Sequence, residues 1–532
     1  MLKKGDRIFR NGKIFTSNPN QPYASAMVIR EGEIIWIGES EELDGTGEDF
    51  VDLNGKRVLP GIIDAHMHPL LLANAAKQIA CTPPLVYSIE ELLREIKKQR
   101  FQESDSWIEC WGYDEGKLKE GRAPNRYDLD KASTDLPIVV TRTCLHIVSV
   151  NSKALQLAGI DATTPDPVGG EIDRDQNGEP TGILRENARY LVLNVMPLES
   201  LEDNAQTIAE LSPKLLSHGI TAITDLMGRT EPIDYYKLYE KAREKGLKQR
   251  VVLYYLWEDV KKEQTLPSEK IDSNEPIHVG GVKVFTDGSI SGQTAWVKAP
   301  FHESNVYGIQ MTSEEELWAA ARAAKQNHIQ LVIHAMGEHA IDFILDTFSE
   351  YESWLTNGPS IRIEHASLPT DEAIKRAAKA GIAFVTQPIF LFAEIESYLA
   401  NLGTERTKRS YPVQSMLEAG VLVAFSSDAP ATAWADPANP FVGMKAAVTR
   451  TAYDGTDTGE NQRIDVETAI TLYTREAQQI TRIPKVGQLA VGYYADFIVL
   501  DQDLLEIERE NIDQICVEQT YLGGSLVYKR MN

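Results

Sequence analysis

The sequence predicts an α/β fold: a (β/α)8 barrel with a small β-sandwich domain built from both chain ends and a subdomain inserted after the first barrel strand. Three observations predict it. The middle of the chain carries eight apolar, β-type runs separated mostly by helical patterns. Both ends carry short strands with tight turns, and one interval between runs is far too long for a loop. The length of 532 residues exceeds a plain barrel of about 250 residues and suits a barrel with additions.

At the amino end, Ile8–Thr16 turns at Asn11-Gly12, Ala26–Ile37 turns at Glu31-Gly32-Glu33, and a further turn lies at Asn54-Gly55. Asn-Gly between apolar alternations signals a hairpin, because both residues tolerate positive φ. The carboxyl end reads alike, with strands at Ala495–Leu500 and, after Gly523-Gly524, at Leu526–Tyr528. Residues 1–57 and 485–532 are therefore expected to form one composite β-sandwich domain.

The barrel is expected over residues 58–484. Its runs are Val58–His66, Ile220–Asp225, Arg250–Leu256, Val279–Phe285, Gln330–His334, Arg362–His365, Ala383–Thr386 and Val421–Ser426. Helix signals lie between them. Ser313 with Glu316 forms a capping box, and Asp371–Ala380 stops at Gly381. A doubly wound sheet is the competing arrangement. About 150 residues separate His68 from Ile220, too many for one βα connection. A helix over Asn204–His218 uses only the end of that interval. Residues 83–200 are expected to be an insertion covering the mouth of the barrel, with its own β run at Leu136–Arg142 and a turn-rich patch at Pro165–Gly182.

Composition sets limits. With 42% hydrophobic and 25% charged residues the chain is globular rather than disordered. A net charge of −24 argues against nucleic acid or an anionic membrane as partner; it reads most simply as a solubility charge and does not reveal the substrate, which is expected to be a small molecule. The four cysteines are dispersed and form no C-x-x-C, which argues against a disulfide framework or a thiolate zinc site. No secretory h-region and no apolar run of about 18 residues is visible, so a cytoplasmic location is expected.

The chemistry concentrates at strand ends. The first run closes Asp64-Ala65-His66-Met67-His68. Side chains two apart on a strand point the same way, so both imidazoles either pack into the core or reach one metal at the C-terminal mouth. His334 ends the fifth run, His365 ends the sixth and Asp428 follows the eighth. That four of ten histidines converge there favours one or two divalent metals. The nitrogen and oxygen ligand set suits zinc, with manganese, iron or nickel as alternatives. Lys283 sits inside the fourth run. It either snorkels outward or faces the metals, where carbamylation would give a carboxylate bridging two ions about 3.5–4 Å apart.

The stretch Val58-Leu59-Pro60-Gly61-Ile62-Ile63-Asp64-Ala65-His66-Met67-His68 resembles the opening of the amidohydrolase superfamily barrel. Further stretches resemble its YtcJ-like subgroup, which includes N-substituted formamide deformylases. They are Val150-Asn151-Ser152-Lys153-Ala154-Leu155, Lys283-Val284-Phe285-Thr286-Asp287-Gly288-Ser289, His334-Ala335-Met336-Gly337-Glu338, Arg362-Ile363-Glu364-His365-Ala366 and Ser426-Ser427-Asp428-Ala429-Pro430. The resemblance implies that His66, His68 and Asp428 bind the more buried metal and that His334 and His365 bind the second. It implies a carbamylated Lys283 as bridge. Asp428 would also move a proton from the attacking water to the leaving group. The superfamily is rich in homodimers, which no residue here specifies.

Two departures from the family pattern fall on strand-end loops. Gln293 stands where the family often has arginine, and Glu338-His339 where it often has Asp-Arg. Four residues are candidate substrate contacts: His146, Trp111, Asp287 and Gln293. For His146 the alternative is a structural histidine bonded to backbone, and for Trp111 it is ordinary insertion core. Arg185-Glu186 is expected to be solvated, with a substrate contact as the alternative. His218, His278, His302, His328 and Arg450 are expected to be structural. The expected activity is metal-dependent hydrolysis of a non-peptide carbon–nitrogen bond, in a linear amide or an N-acyl or N-formyl compound. Cyclic amide opening, deamination, ester hydrolysis and a non-catalytic metal scaffold are the alternatives.

Overall fold

Eight parallel strands form one sheet: Ile62–Met67, Ile220–Gly228, Arg250–Leu256, Ile277–Phe285, Gln330–Ala335, Ile361–His365, Ala383–Thr386 and Val423–Phe425, neighbours in that order. The computed structural model describes every residue except 1–2, 4, 44–49, 83–84, 101–106, 198, 433, 435 and 532. The two edge strands meet at their C-terminal ends. There the Asp428 N–H donates to the His66 carbonyl at 2.7 Å and the His68 N–H to the Ala429 carbonyl at 2.9 Å. Sequential parallel order and edges that meet make a barrel, not a doubly wound sheet. Ile63, Ala65, Ala222, Val252, Tyr254, Val332, Val385 and Ala424 pack into one interior cluster. Helices surround it. Asp371–Ala380 starts at a Thr370 cap and ends at Gly381, whose φ of +66° only glycine adopts readily. Ser313 caps Glu314–Gln326 by accepting the Glu316 N–H.

The first apolar run is two strands, not one. Arg57–Pro60 pairs with Lys13–Phe15 and Phe497–Leu500 in a six-stranded sheet drawn from both chain ends, and only Ile62–Met67 enters the barrel. Gly61 lies between them. A Cβ there would meet Thr221 Oγ1 at 2.2 Å, so the switch between sheets needs glycine. The Asn-Gly turns also differ from the hairpin expectation. Asn11-Gly12 and Asn54-Gly55 both join a strand of a four-stranded N-terminal sheet to a strand of the six-stranded sheet. Asn11 (φ +59°) and Asn54 (φ +51°) supply the left-handed turn, but the flanking strands part company. Glu31-Gly32 does close a hairpin, between Ala26–Arg30 and Glu33–Gly38. Phe9, Met27, Ile34, Val58, Phe497 and Tyr521, from both sheets, share one apolar cluster.

A third sheet of six strands lies between the first and second barrel strands. Its order is Gly170–Arg174, Pro180–Glu186, Ile147–Val150, Ile138–Arg142, Ile108–Tyr113 and Ile79–Ala80. Among the described residues no helix is long and apolar enough to cross a membrane.

Candidate metal centre

The centre starts at the seam where the sheet closes. His66 sits near the end of Ile62–Met67, His68 precedes the helix Pro69–Ala75, and Asp428 follows Val423–Phe425. Asp428 Oδ1 lies 3.3 Å from His66 Nε2 and 2.9 Å from His68 Nε2. One ligand atom from each of the three falls within 4.8 Å of the others. His334 and His365 come from neighbouring strands, with ring centroids 4.4 Å apart, and the His365 ring is 5.0 Å from that of His66. His365 (φ +68°) and Asp428 (φ +54°) hold a left-handed backbone that disfavours both residue types. Such strain gathers where a side chain must be aimed.

Three of the histidines are oriented by an acceptor behind the ring. His66 Nδ1–H donates to Glu364 Oε2 at 2.5 Å, His365 Nδ1–H to Gln387 Oε1 at 2.8 Å, and His334 Nε2–H to the Gly288 carbonyl at 2.9 Å. Each bond fixes the tautomer and leaves the other nitrogen lone pair as the ligand. Burial pushes the pKa values of His66, His334 and His365 well below the ordinary histidine range, which keeps the rings neutral and able to coordinate. Burial alone would raise the Asp428 carboxyl, but His66 and His68 beside it bring it below its usual value.

Lys283 resolves to the inward orientation. It is 1% exposed, lines the same cavity as the histidines, and its Nζ has no hydrogen-bond partner. Burial lowers its pKa to about 8. His68 Nδ1 and Asp428 Oδ1 are also buried without a hydrogen bond. Orphaned polar atoms are rare in folded proteins. Here they sit together with neutral imidazoles in one hole, and this donor set fits a divalent cation.

The cavity measures about 330 Å³, and its far wall comes from residues 109–148 and 189–196. Trp111 and His146 line it. The His146 ring lies 5.4 Å from that of His334, and His146 Nδ1–H donates to Glu186 Oε2 at 2.6 Å. The two residues end paired strands, since Ile147 pairs with Arg185, and the Glu186 N–H returns a bond to the His146 carbonyl at 2.8 Å. Glu186 is 2% exposed, not solvated, and takes φ +48°. Burial would raise its carboxyl, and the adjacent His146 outweighs that and lowers it.

The other two proposed contacts fall outside the cavity wall. Asp287 is fully buried, and its carboxylate accepts the backbone N–H groups of Met336, Gly337 and Trp296 at 2.8–3.0 Å. It braces two strand-end loops. Gln293 donates to Asn401 Oδ1 at 2.7 Å and lines a separate groove at the surface. Its backbone takes a φ of +57°. Arg450 is structural: its guanidinium donates to the carbonyls of Tyr411, Ser410, Thr458 and Gly459.

Sequence reasoning missed Glu364, Gln387 and Glu186. Arg362 and Glu364 are both 0% exposed, two apart on one face of a strand, and Arg362 Nε donates to Glu364 Oε1 at 2.6 Å. A pair of charges on one face of a buried strand is a signal that could have been read. Glu186, 40 residues from His146, has no such local mark.

Comparison with known proteins gives the family. Residues 49–528 match the pattern of the Amidohydrolase family. A putative amidohydrolase, YtcJ, of Bacillus subtilis is 30% identical over 98% of this chain and 99% of its own. An N-substituted formamide deformylase of Arthrobacter pascens is 28% identical over 100% of this chain and 99% of its own. Among solved structures, an uncharacterized metal-dependent hydrolase of Pyrococcus horikoshii superposes with a TM-score of 0.74 and 27% identity, covering 95% of this chain and 99% of that one. Its counterpart from Pyrococcus furiosus gives a TM-score of 0.72 and 28% identity, covering 94% of this chain and 100% of that one. The chain belongs to the amidohydrolase family and is a metal-dependent hydrolase.

Proposed function

We propose that the chain hydrolyses a carbon–nitrogen bond other than a peptide bond, in a linear amide or an N-acyl or N-formyl compound. The observation that carries this reading is the convergence of His66, His68, His334, His365, Asp428 and the unpartnered Lys283 on one cavity. The match to a formamide deformylase over the full chain is compatible with it. In the same reading residues 1–57 and 485–532 are one β domain, 58–484 the barrel, and 83–200 the insertion that roofs the site.

His66, His68 and Asp428 would hold an inner ion, zinc by its fit to nitrogen and oxygen donors, and His334 and His365 would hold a second. When bound, the metal supplies a Lewis acid that polarises the carbonyl and lowers the pKa of water to about 7. Lys283 would add carbon dioxide to its neutral amine with loss of a proton, which would replace a buried cation with a carboxylate among the metal residues. Asp428 accepts the proton of the attacking water and delivers it to the leaving nitrogen, a base that becomes an acid. His146, steadied by Glu186, faces the substrate from the opposite wall.

A panel of N-formyl and N-acyl amines, cyclic amides, amino-heterocycles and esters tests the reading. Metal-loaded wild type should turn over the linear N-acyl or N-formyl compounds best, and Asp428→Asn should lose about 10²–10⁴-fold of that rate. Equal, negligible turnover by both proteins across the panel refutes catalysis at this site. Preference for another arm reassigns the reaction.

A further inference from the structure

One cation in the cavity has no role in the mechanism above. Arg189 ends the turn Asn187–Arg189 that follows strand Pro180–Glu186, and it lines the same cavity as the metal residues. Its Nη2 donates to Tyr190 Oη at 2.9 Å, and its guanidinium carbon lies 4.8 Å from that ring's centroid. Its Nε is buried with no partner, and among the described residues no ion pair joins it to a carboxylate. Its neighbours differ. Arg229, on the same wall, is paired with Asp259 at 2.8 Å, and Arg185 with Asp173 at 2.7 Å.

Burial would lower the Arg189 pKa, but Tyr190 and Glu186 beside it outweigh that and raise it. Glu186 holds His146 at 2.6 Å. Glu109, also on the cavity wall, receives Gln78 Nε2 at 2.7 Å. Among the described residues no carboxylate stands within ion-pair distance of this half-buried guanidinium, and a ligand that brings its own carboxylate can meet it with a bidentate fork. The cavity wall also carries apolar side chains, Val139, Val148, Leu193 and Met196 among them.

We infer that Arg189 anchors a carboxylate carried by the substrate beyond an apolar body, so that the preferred substrates are anionic amides. This rests on the hydrolase reading above and adds its substrate class. Arg189 is a specificity-determining residue that touches substrate far from the scissile bond.

Isothermal titration of the wild-type chain stripped of metal, and so disabled for turnover, tests it. An N-formyl aryl amino acid is compared with its methyl ester, with an amine-bearing counterpart and with a phosphonate isostere, before and after Arg189→Met. The acid should bind at least about tenfold more tightly than the ester, and Arg189→Met should abolish the difference while leaving the ester within about twofold. Arg189→Lys should keep the preference for the acid in weakened form. Equal or tighter binding of the ester or the amine overturns the anchor, as does an acid preference that survives Arg189→Met. Tighter binding of the phosphonate overturns the carboxylate assignment. If Arg189→Met fails to fold, the acid-to-ester ratio and Arg189→Lys decide. Because binding is read in a chain disabled for turnover, failure of the metal-loaded chain to hydrolyse these compounds counts against the hydrolase reading and not against the anchor.

Discussion

His66 and Glu364 come from the first and sixth barrel strands and meet through Nδ1 and Oε2 at 2.5 Å, with both side chains almost fully buried. The contact does not end at Glu364. Arg362 Nε donates to its other oxygen at 2.6 Å, and Arg362 Nη2 donates to the Ala65 carbonyl at 2.7 Å, one residue from His66. The backbone, the cation and the carboxylate thus form a loop that returns to the ligand it orients.

Glu364→Gln keeps the shape of this loop and removes its charge. The His66 Nε2 lone pair is then less basic and less firmly aimed. Metal affinity should fall about 10–100-fold, read by competition with a chromophoric chelator. An affinity equal to wild type would remove Glu364 from the account.

Glu186→Gln tests the opposite wall. Glu186 touches no metal residue directly, so metal content and thermal midpoint should stay at wild-type values. Loss of His146 alignment should lower kcat/KM by about 10²-fold. A fall in metal content or in the midpoint that matched the loss of activity would mean that Glu186 only supports the fold.

Gly61→Ala probes the switch between sheets. The added Cβ meets Thr221 Oγ1 at 2.2 Å and Cγ2 at 2.5 Å in a closed interior. Chemical denaturation should show a loss of about 1–3 kcal/mol, and Thr221→Ala in the same chain should recover part of it. A neutral Gly61→Ala would show that the two sheets can shift apart there.

His278 sets a pH dependence independent of the metal site. It is 5% exposed, its Nδ1 donates to the Glu275 carbonyl at 3.2 Å, and burial lowers its pKa to about 4. The unfolded chain therefore binds a proton between about pH 6.5 and pH 4 that the folded chain refuses. Stability falls as pH drops through that window, by about 2–3 kcal/mol from this group. In metal-free protein His278→Gln should flatten the decline between pH 7 and pH 4.5 by that amount. Parallel wild-type and variant curves would contradict the assignment.

Much of the fold was legible in the sequence because strand ends carry the chemistry. His334 and His365 mark the C-terminal ends of two strands, and the helix Asp371–Ala380 lies where its cap and its glycine put it. What was illegible is non-local. Val58–His66 reads as one run although Pro60-Gly61 interrupts it; that dipeptide marks a break but not that the two halves join different sheets. The Asn-Gly turns specify positive φ but not which strand each flank will pair with. In the site, the metal-ligand candidates were legible from residue type and position. Their acceptors were not, because Glu364, Gln387 and Glu186 act through contacts 298, 22 and 40 residues away. Asp287 and Gln293 sit in the right loops, but their side chains are spent on backbone N–H groups and on Asn401.

The central claim is that these six side chains form one metal site. A crystal structure of the metal-loaded chain, with anomalous scattering recorded at the metal edge, tests it most directly. The account predicts an ion bound by His66, His68 and Asp428 at about 2.0–2.2 Å, a second on His334 and His365, and carboxylate density beyond Lys283 Nζ. Anomalous density elsewhere in the chain, with plain ammonium density at Lys283 and no ion among these residues, would contradict it.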